Sequence, residues 1–135
     1  MIVKGMSSWI DLSRYETKSS SYTSFLTFSW AMIADIDIES ECIRWAGFLR
    51  MDLWGILRVL FLRKYRAKFS YLPPTEDRKM VSMPPLSEPL TEGWITSEDD
   101  FILFWASQVS HAAEHVFQAP QCKLNDGVFH IWVVR

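Results

Sequence analysis

Five of the six prolines, Pro73, Pro74, Pro84, Pro85 and Pro89, fall between Leu72 and Thr91, interleaved with Thr75-Glu76-Asp77-Arg78-Lys79. Proline removes a backbone donor and fixes φ, so neither a helix interior nor a central strand can run through such a stretch. The chain must therefore spend about residues 73–91 on a flexible surface connection and build its order from the segments on either side. With 135 residues, 49% of them hydrophobic, those segments can bury one core of ordinary size, as one domain or part of one. Aromatic residues make up 15% of the chain, too many for a disordered tail. They suit a packed sheet or a pocket for an apolar ligand.

Before the loop, Phe25 to Met32 alternates, with Phe28, Trp30 and Met32 on one face and Ser29 and Ala31 on the other, which predicts a strand. From Glu39 to Leu62, Ile43, Ala46, Phe48, Leu49, Leu53, Trp54, Ile56, Leu57 and Leu60 recur at three-and-four spacing, which predicts helix. Gly47 and Gly55 interrupt that pattern, so two shorter helices fit as well as one. Arg58, Arg63, Lys64, Arg66 and Lys68 then gather where a helix C-terminus favours cations. Lys68 to Leu72 alternates again. After the loop, Trp94 to Thr96, Phe101 to Trp105 and Phe129 to Val134 read as strands. The fold class predicted is α+β, mainly an antiparallel β-sandwich, with one or two helices after the first long strand. The last run, Phe129 to Arg135, stops inside a strand, and a truncated domain is expected.

Lys+Arg 14 against Asp+Glu 16 leaves a net charge of −2, which supplies no general attraction for nucleic acid or an anionic membrane. Cys42 and Cys122 lie far apart, so neither a disulfide framework nor a zinc ribbon is written here, and a reducing compartment is expected. Met1 to Ser8 is too short and weakly apolar for a signal peptide. The longest apolar stretch, Leu53 to Leu62, is interrupted by Arg58 and falls short of the roughly 20 residues a spanning helix needs.

The most unusual segment is Asp35-Ile36-Asp37-Ile38-Glu39-Ser40-Glu41, whose acids would share one face if it were extended. Clustered carboxylates grip a metal, an ammonium or a hydroxyl. Equally, Glu39 and Glu41 could complement a helix N-terminus while Asp35 and Asp37 are solvated. Arg44 and Arg50 stand six positions apart, about 240° around an unbroken helix, and converge only if the chain breaks near Gly47. Forked guanidinium donors suit phosphate oxygens, although solvated arginines are the plainer reading. His111-Ala112-Ala113-Glu114-His115 fits the pattern of inverted zinc peptidases if helical, but only Asp126 follows as an acid, and a polar helix or loop face is the plainer account. No metal ligand is assigned. The five glycines lie too far apart for any phosphate-binding glycine loop.

Trp30-Ala31-Met32-Ile33-Ala34-Asp35-Ile36-Asp37-Ile38-Glu39-Ser40-Glu41, followed by Arg44, Gly47 and Arg50, resembles the sphingosine kinase signature W-G-x-I-A-D-V-D-x-E-S-E with its trailing Y-R and G-x-x-R. Leu62 to Pro73 is similar to the family's L-R-x-Y-x-G-x-x-x-Y-L-P, and Ser97-Glu98-Asp99-Asp100-Phe101 to its P-D-E-D-F. Ser110-His111, Phe117-Gln118-Ala119-Pro120 and Asp126-Gly127-Val128-Phe129-His130 resemble its S-H, F-x-A-P and G-V-x-H. The resemblance implies the C-terminal, lipid-binding domain of a diacylglycerol kinase-like fold, with residues 1–135 forming part of it. It also implies an ATP-dependent lipid kinase that makes sphingosine 1-phosphate from sphingosine or a related long-chain base.

By the same resemblance Asp37 meets the lipid head group, Met32, Ile33, Ile36, Met51 and Phe117 line the lipid tunnel or its gate, and Arg44 and Arg50 reach the nucleotide phosphates. ATP and Mg2+ would serve the complete enzyme, ATP through an N-terminal domain, and this chain alone would bind neither. The family's S-G-D-G segment with its catalytic base and its D-G-E segment do not occur in these residues, so no catalytic residue is assigned and the chain by itself is expected to be inactive. Cytoplasmic placement with peripheral membrane recruitment, and no nucleic-acid partner, complete the implication. The alternative is a non-enzymatic lipid-binding module derived from such a kinase. Ala31 stands where the family has glycine, Cys42 where it commonly has lysine, and Ala67 where it usually has glycine.

Overall fold

A computed structural model describes residue 5, residues 7–74 and residues 83–135. The segment Thr75 to Lys79 in the proline-rich connection lies outside the described residues, as do residues 1–4 and 6 of the N-terminal stretch. The chain divides into two compact units, Met1–Thr27 with Ser107–His130, and Phe28–Ala106 with Ile131–Arg135.

The first unit holds two hairpins that period-two patterning did not predict, because the strands of the first are polar and those of the second are too short to show a period. Strands β1 (Ser13–Glu16) and β2 (Ser21–Ser24) pair antiparallel, Ser13 opposite Ser24 and Glu16 opposite Ser21. Thr17 closes the turn, its hydroxyl accepting from the Ser20 amide at 3.0 Å. Strands β7 (His111–Ala113) and β8 (Val116–Phe117) form the second hairpin.

The second unit carries the helices and the longer strands. Strand β3 (Thr27–Ala31) leads into helix α1 (Met32–Glu39), then a 3-10 segment (Ser40–Ala46) and helix α2 (Leu49–Leu60). The predicted strand thus ends at Ala31, not Met32. Ala31 itself turns the chain with φ 64 and ψ −127, a conformation that disfavours a β-carbon. This accounts for the glycine that the resembled family places there. Gly47, at φ 60 and ψ −130, makes a second break of the same kind, whereas helix α2 continues through Gly55. Of the two glycines expected to interrupt the helix, only Gly47 does.

Strand β4 (Tyr65–Tyr71) pairs antiparallel with β5 (Ile95–Phe101), Arg66 opposite Asp100 and Ser70 opposite Thr96. Acids in mid-strand are tolerated because cations face them: Arg66 lies 3.2 Å from Glu98 and 3.7 Å from Asp100. Strand β6 (Leu103–Ser107) is the centre of a three-stranded sheet ordered β3-β6-β9, where β9 spans His130–Val134. The fold is α+β, rich in antiparallel strands. Its core is aromatic: Trp30 lies 5.6 Å from Tyr65 and 6.4 Å from Phe101, and Phe69 meets Phe104 edge-on at 4.8 Å. Phe101 is fully buried.

Candidate functional site

The acidic string is helical, not extended. Residues two apart on a helix point about 200° apart, so Asp35 and Asp37 do not share a face, and the period-two arrangement is corrected. What decides each acid's role is the partner it reaches. The Tyr65 hydroxyl donates to Asp35 at 2.7 Å. Glu39 accepts from the Trp54 indole at 3.1 Å and from Arg63 at 2.7 Å, and it pairs with Arg58. Arg58 is buried, so the basic residue expected to complement the helix end instead neutralises Glu39.

Glu41 takes both candidate arginines. Arg50 pairs with one of its oxygens and Arg44 lies 3.4 Å from the other. The break at Gly47 makes this convergence possible, as the six-residue spacing required. Arg44 stays largely exposed, its side chain 80% accessible, while that of Arg50 is 22% accessible. The Asp37 side chain alone in the string reaches no partner among the described residues, and it is exposed.

Among the apolar candidates, Met32, Ile33 and Ile36 are half-buried on α1, and the tip of Ile36 lies beside Gly55 of α2. Met51 accepts a contact from the buried Ser40 hydroxyl at 3.3 Å and borders an open apolar groove with Gly55, Ile56, Val59 and Leu60. Phe117 belongs to the first unit, where its exposed ring stacks on His111 at 4.4 Å. His111 lies on strand β7 and His115 outside any helix, so the helical face required by the zinc-peptidase pattern is not formed.

No family model matches the chain. Curated relatives do. The chain is 35% identical over 127 residues to a human protein named sphingosine kinase 1, covering 83% of this chain and 33% of that protein. It is 27% identical over 153 aligned positions to sphingosine kinase 1 of Arabidopsis thaliana, covering 99% of this chain and 32% of that protein. Over 68 residues it is 40% identical to sphingosine kinase B of Dictyostelium discoideum, which takes in 49% of this chain and 9% of that protein. The chain belongs to the sphingosine kinase family. It spans about a third of the length of the first two relatives. No helix among the described residues is long and apolar enough to cross a membrane.

One polar constellation in this sphingosine kinase segment escaped the sequence reading. In the first unit, Cys122 Sγ, an Asp126 carboxylate oxygen and a His130 ring nitrogen all lie within 4.8 Å of one another. Its sequence signal is a Cys-x-x-x-Asp-x-x-x-His spacing, which needs no second cysteine. Burial works against ionisation of Asp126, but the Lys123 and Val128 amides and His130 outweigh it and hold the carboxyl below its ordinary range. Burial pushes the Cys122 thiol up, and the charges of Asp126 and Asp11 push the same way.

Proposed function

We propose that this chain is the lipid-binding part of an ATP-dependent kinase acting on sphingosine or a related long-chain base, with residues 1–135 forming part of the C-terminal domain. The observation that carries the reading is the unequal fate of the four acids between Asp35 and Glu41. Asp35, Glu39 and Glu41 are committed to Tyr65, to Trp54, Arg58 and Arg63, and to Arg44 and Arg50. Asp37 stays free to accept from the ammonium or hydroxyl groups of a long-chain base. Charge-assisted hydrogen bonds of that kind are the strong ones.

Met32, Ile33, Ile36, Met51 and Phe117 are the apolar side chains proposed for the hydrocarbon chain. Arg44 and Arg50, held at one carboxylate and each keeping further N–H donors, suit the phosphates of ATP. Mg2+ would neutralise phosphate charge in the complete enzyme; it prefers an all-oxygen shell, unlike the thiol-imidazole-carboxylate group of the first unit. Cytoplasmic placement with peripheral membrane contact fits a substrate that resides in membranes.

The test is transfer of labelled γ-phosphate from ATP to sphingosine by a protein carrying this segment at the full length of its relatives. Transfer that falls on replacing Arg50 with alanine, chiefly through weaker ATP binding, supports the kinase. Retained sphingosine binding with no transfer supports instead the non-enzymatic lipid-binding module.

A further inference from the structure

The turn between Cys122 and His130 is held more firmly than a connection requires. The Asp126 carboxylate accepts from the Lys123 amide at 2.9 Å and the Val128 amide at 3.3 Å. Asp11 fastens the same turn from the N-terminal side. Its amide donates to the Leu124 carbonyl at 2.7 Å, and its carboxylate accepts from the Gly127 amide at 2.6 Å. Gly127 has φ 71, which brings its amide to Asp11 without straining a β-carbon. The result is a carboxylate whose orientation is set by backbone donors, as carboxylates around metal ions commonly are.

Two more groups converge on that carboxylate without being needed to cap the turn. His130 Nε2 lies 3.4 Å from Asp126 Oδ2. That is long for an N–H to O hydrogen bond, whose usual range ends at about 3.2 Å. It matches the separation of roughly 3.4 Å between nitrogen and oxygen ligands on a tetrahedral ion with bonds near 2.05 Å. The half-buried Cys122 sulfur completes the triangle. Asp11 adds negative charge at the sulfur, a setting that disfavours a bare thiolate and favours a cation. Sulfur and imidazole together select a borderline-soft ion over magnesium or calcium.

We propose that Cys122 Sγ, Asp126 Oδ2 and His130 Nε2 bind one zinc-class divalent cation, with the fourth position taken by water. Binding releases the Cys122 thiol proton to solvent as the S–metal bond forms. The ion ties the turn before β9 into a closed ring of side chains.

Cobalt(II) is the probe, titrated into the metal-free 135-residue chain. One equivalent should bind with a sulfur-to-cobalt charge-transfer band in the near ultraviolet, and zinc(II) should displace it. Cys122→Ser should abolish the band and Cys42→Ser should keep it. His130→Gln should weaken cobalt binding by more than about tenfold, since even partners behind a ligand are worth that much. A readout without variants runs in parallel: zinc(II) should slow alkylation of Cys122 and leave Cys42 unchanged, as read by peptide mapping. Absence of the band, its survival in Cys122→Ser, or equal alkylation with and without zinc would overturn the site.

Discussion

The helical stretch from Asp35 to Arg58 and the turn from Cys122 to His130 each gather several ionisable side chains within a short span, and they dispose of them differently. On the helices, the arginines are taken up by two carboxylates that each gather more than one cation. Two exposed acids reach no partner among the described residues, Asp37 in the acidic string and Asp52 on α2. At the turn, backbone amides donate to the carboxylates of Asp126 and Asp11, and the Cys122 thiol and His130 imidazole lie beside Asp126. A region that pairs most of its own charges advertises function through the acids that remain unpaired. A region whose ionisable groups converge on one carboxylate advertises it through the cluster as a whole.

The strongest way to break this contrast is to unbalance the helices. Glu39→Ala leaves the buried Arg58 without its carboxylate, and an uncompensated buried charge costs about 3–5 kcal/mol, a large share of the stability of any small domain. Urea unfolding should show that loss. A loss under about 1 kcal/mol would mean that Arg58 finds water, and the mutual neutralisation would then be ornamental.

The turn should respond less. With a chelator present to exclude metal, Asp126→Ala removes the acceptor for two amides and should cost about 1–2 kcal/mol in the same unfolding measurement. No loss under those conditions would show that the carboxylate is held for a ligand only. A smaller effect of opposite sign is expected at Ala31. Relief of a β-carbon at φ 64, worth about 1–3 kcal/mol, exceeds the roughly 0.8 kcal/mol of one buried methyl, so Ala31→Gly should stabilise by on the order of 1 kcal/mol. A lower thermal midpoint in Ala31→Gly would show that the entrance to α1 is unstrained.

Long patterns were readable from the sequence and short polar ones were not. Helix α2 and the second half of strand β4 announced themselves by spacing, β4 starting three residues before the alternation at Lys68, and the break at Gly47 is the condition that the spacing of Arg44 and Arg50 sets for their convergence. The acidic string misled because period-two spacing looks extended, whereas the chain spends those residues on a helix whose acids are paired one by one with groups distant in sequence. Tyr65 is 30 positions from Asp35 and Arg63 is 24 from Glu39, distances at which local periodicity carries no information. The β1–β2 hairpin is not legible in the sequence because Ser21–Ser24 and Ser13–Glu16 offer no apolar alternation, their register being set by backbone pairing and the Thr17 turn. Asp126 to His130 resembles a family motif, and the approach of Cys122 to it is set by the turn rather than by any cysteine pair the sequence could show.

The account rests most on Asp37 being the acid reserved for a ligand. The most direct measurement compares Asp37→Asn with the unchanged residue, in a protein carrying this segment at the full length of its relatives, for sphingosine and Mg-ATP affinity separately. The substitution keeps the volume and removes the charge. Losing a charge-assisted hydrogen bond of about 1.5–3 kcal/mol should weaken sphingosine roughly ten- to a hundredfold and leave ATP nearly unchanged. Weakened ATP with unaltered sphingosine affinity would contradict the assignment of Asp37 to the lipid.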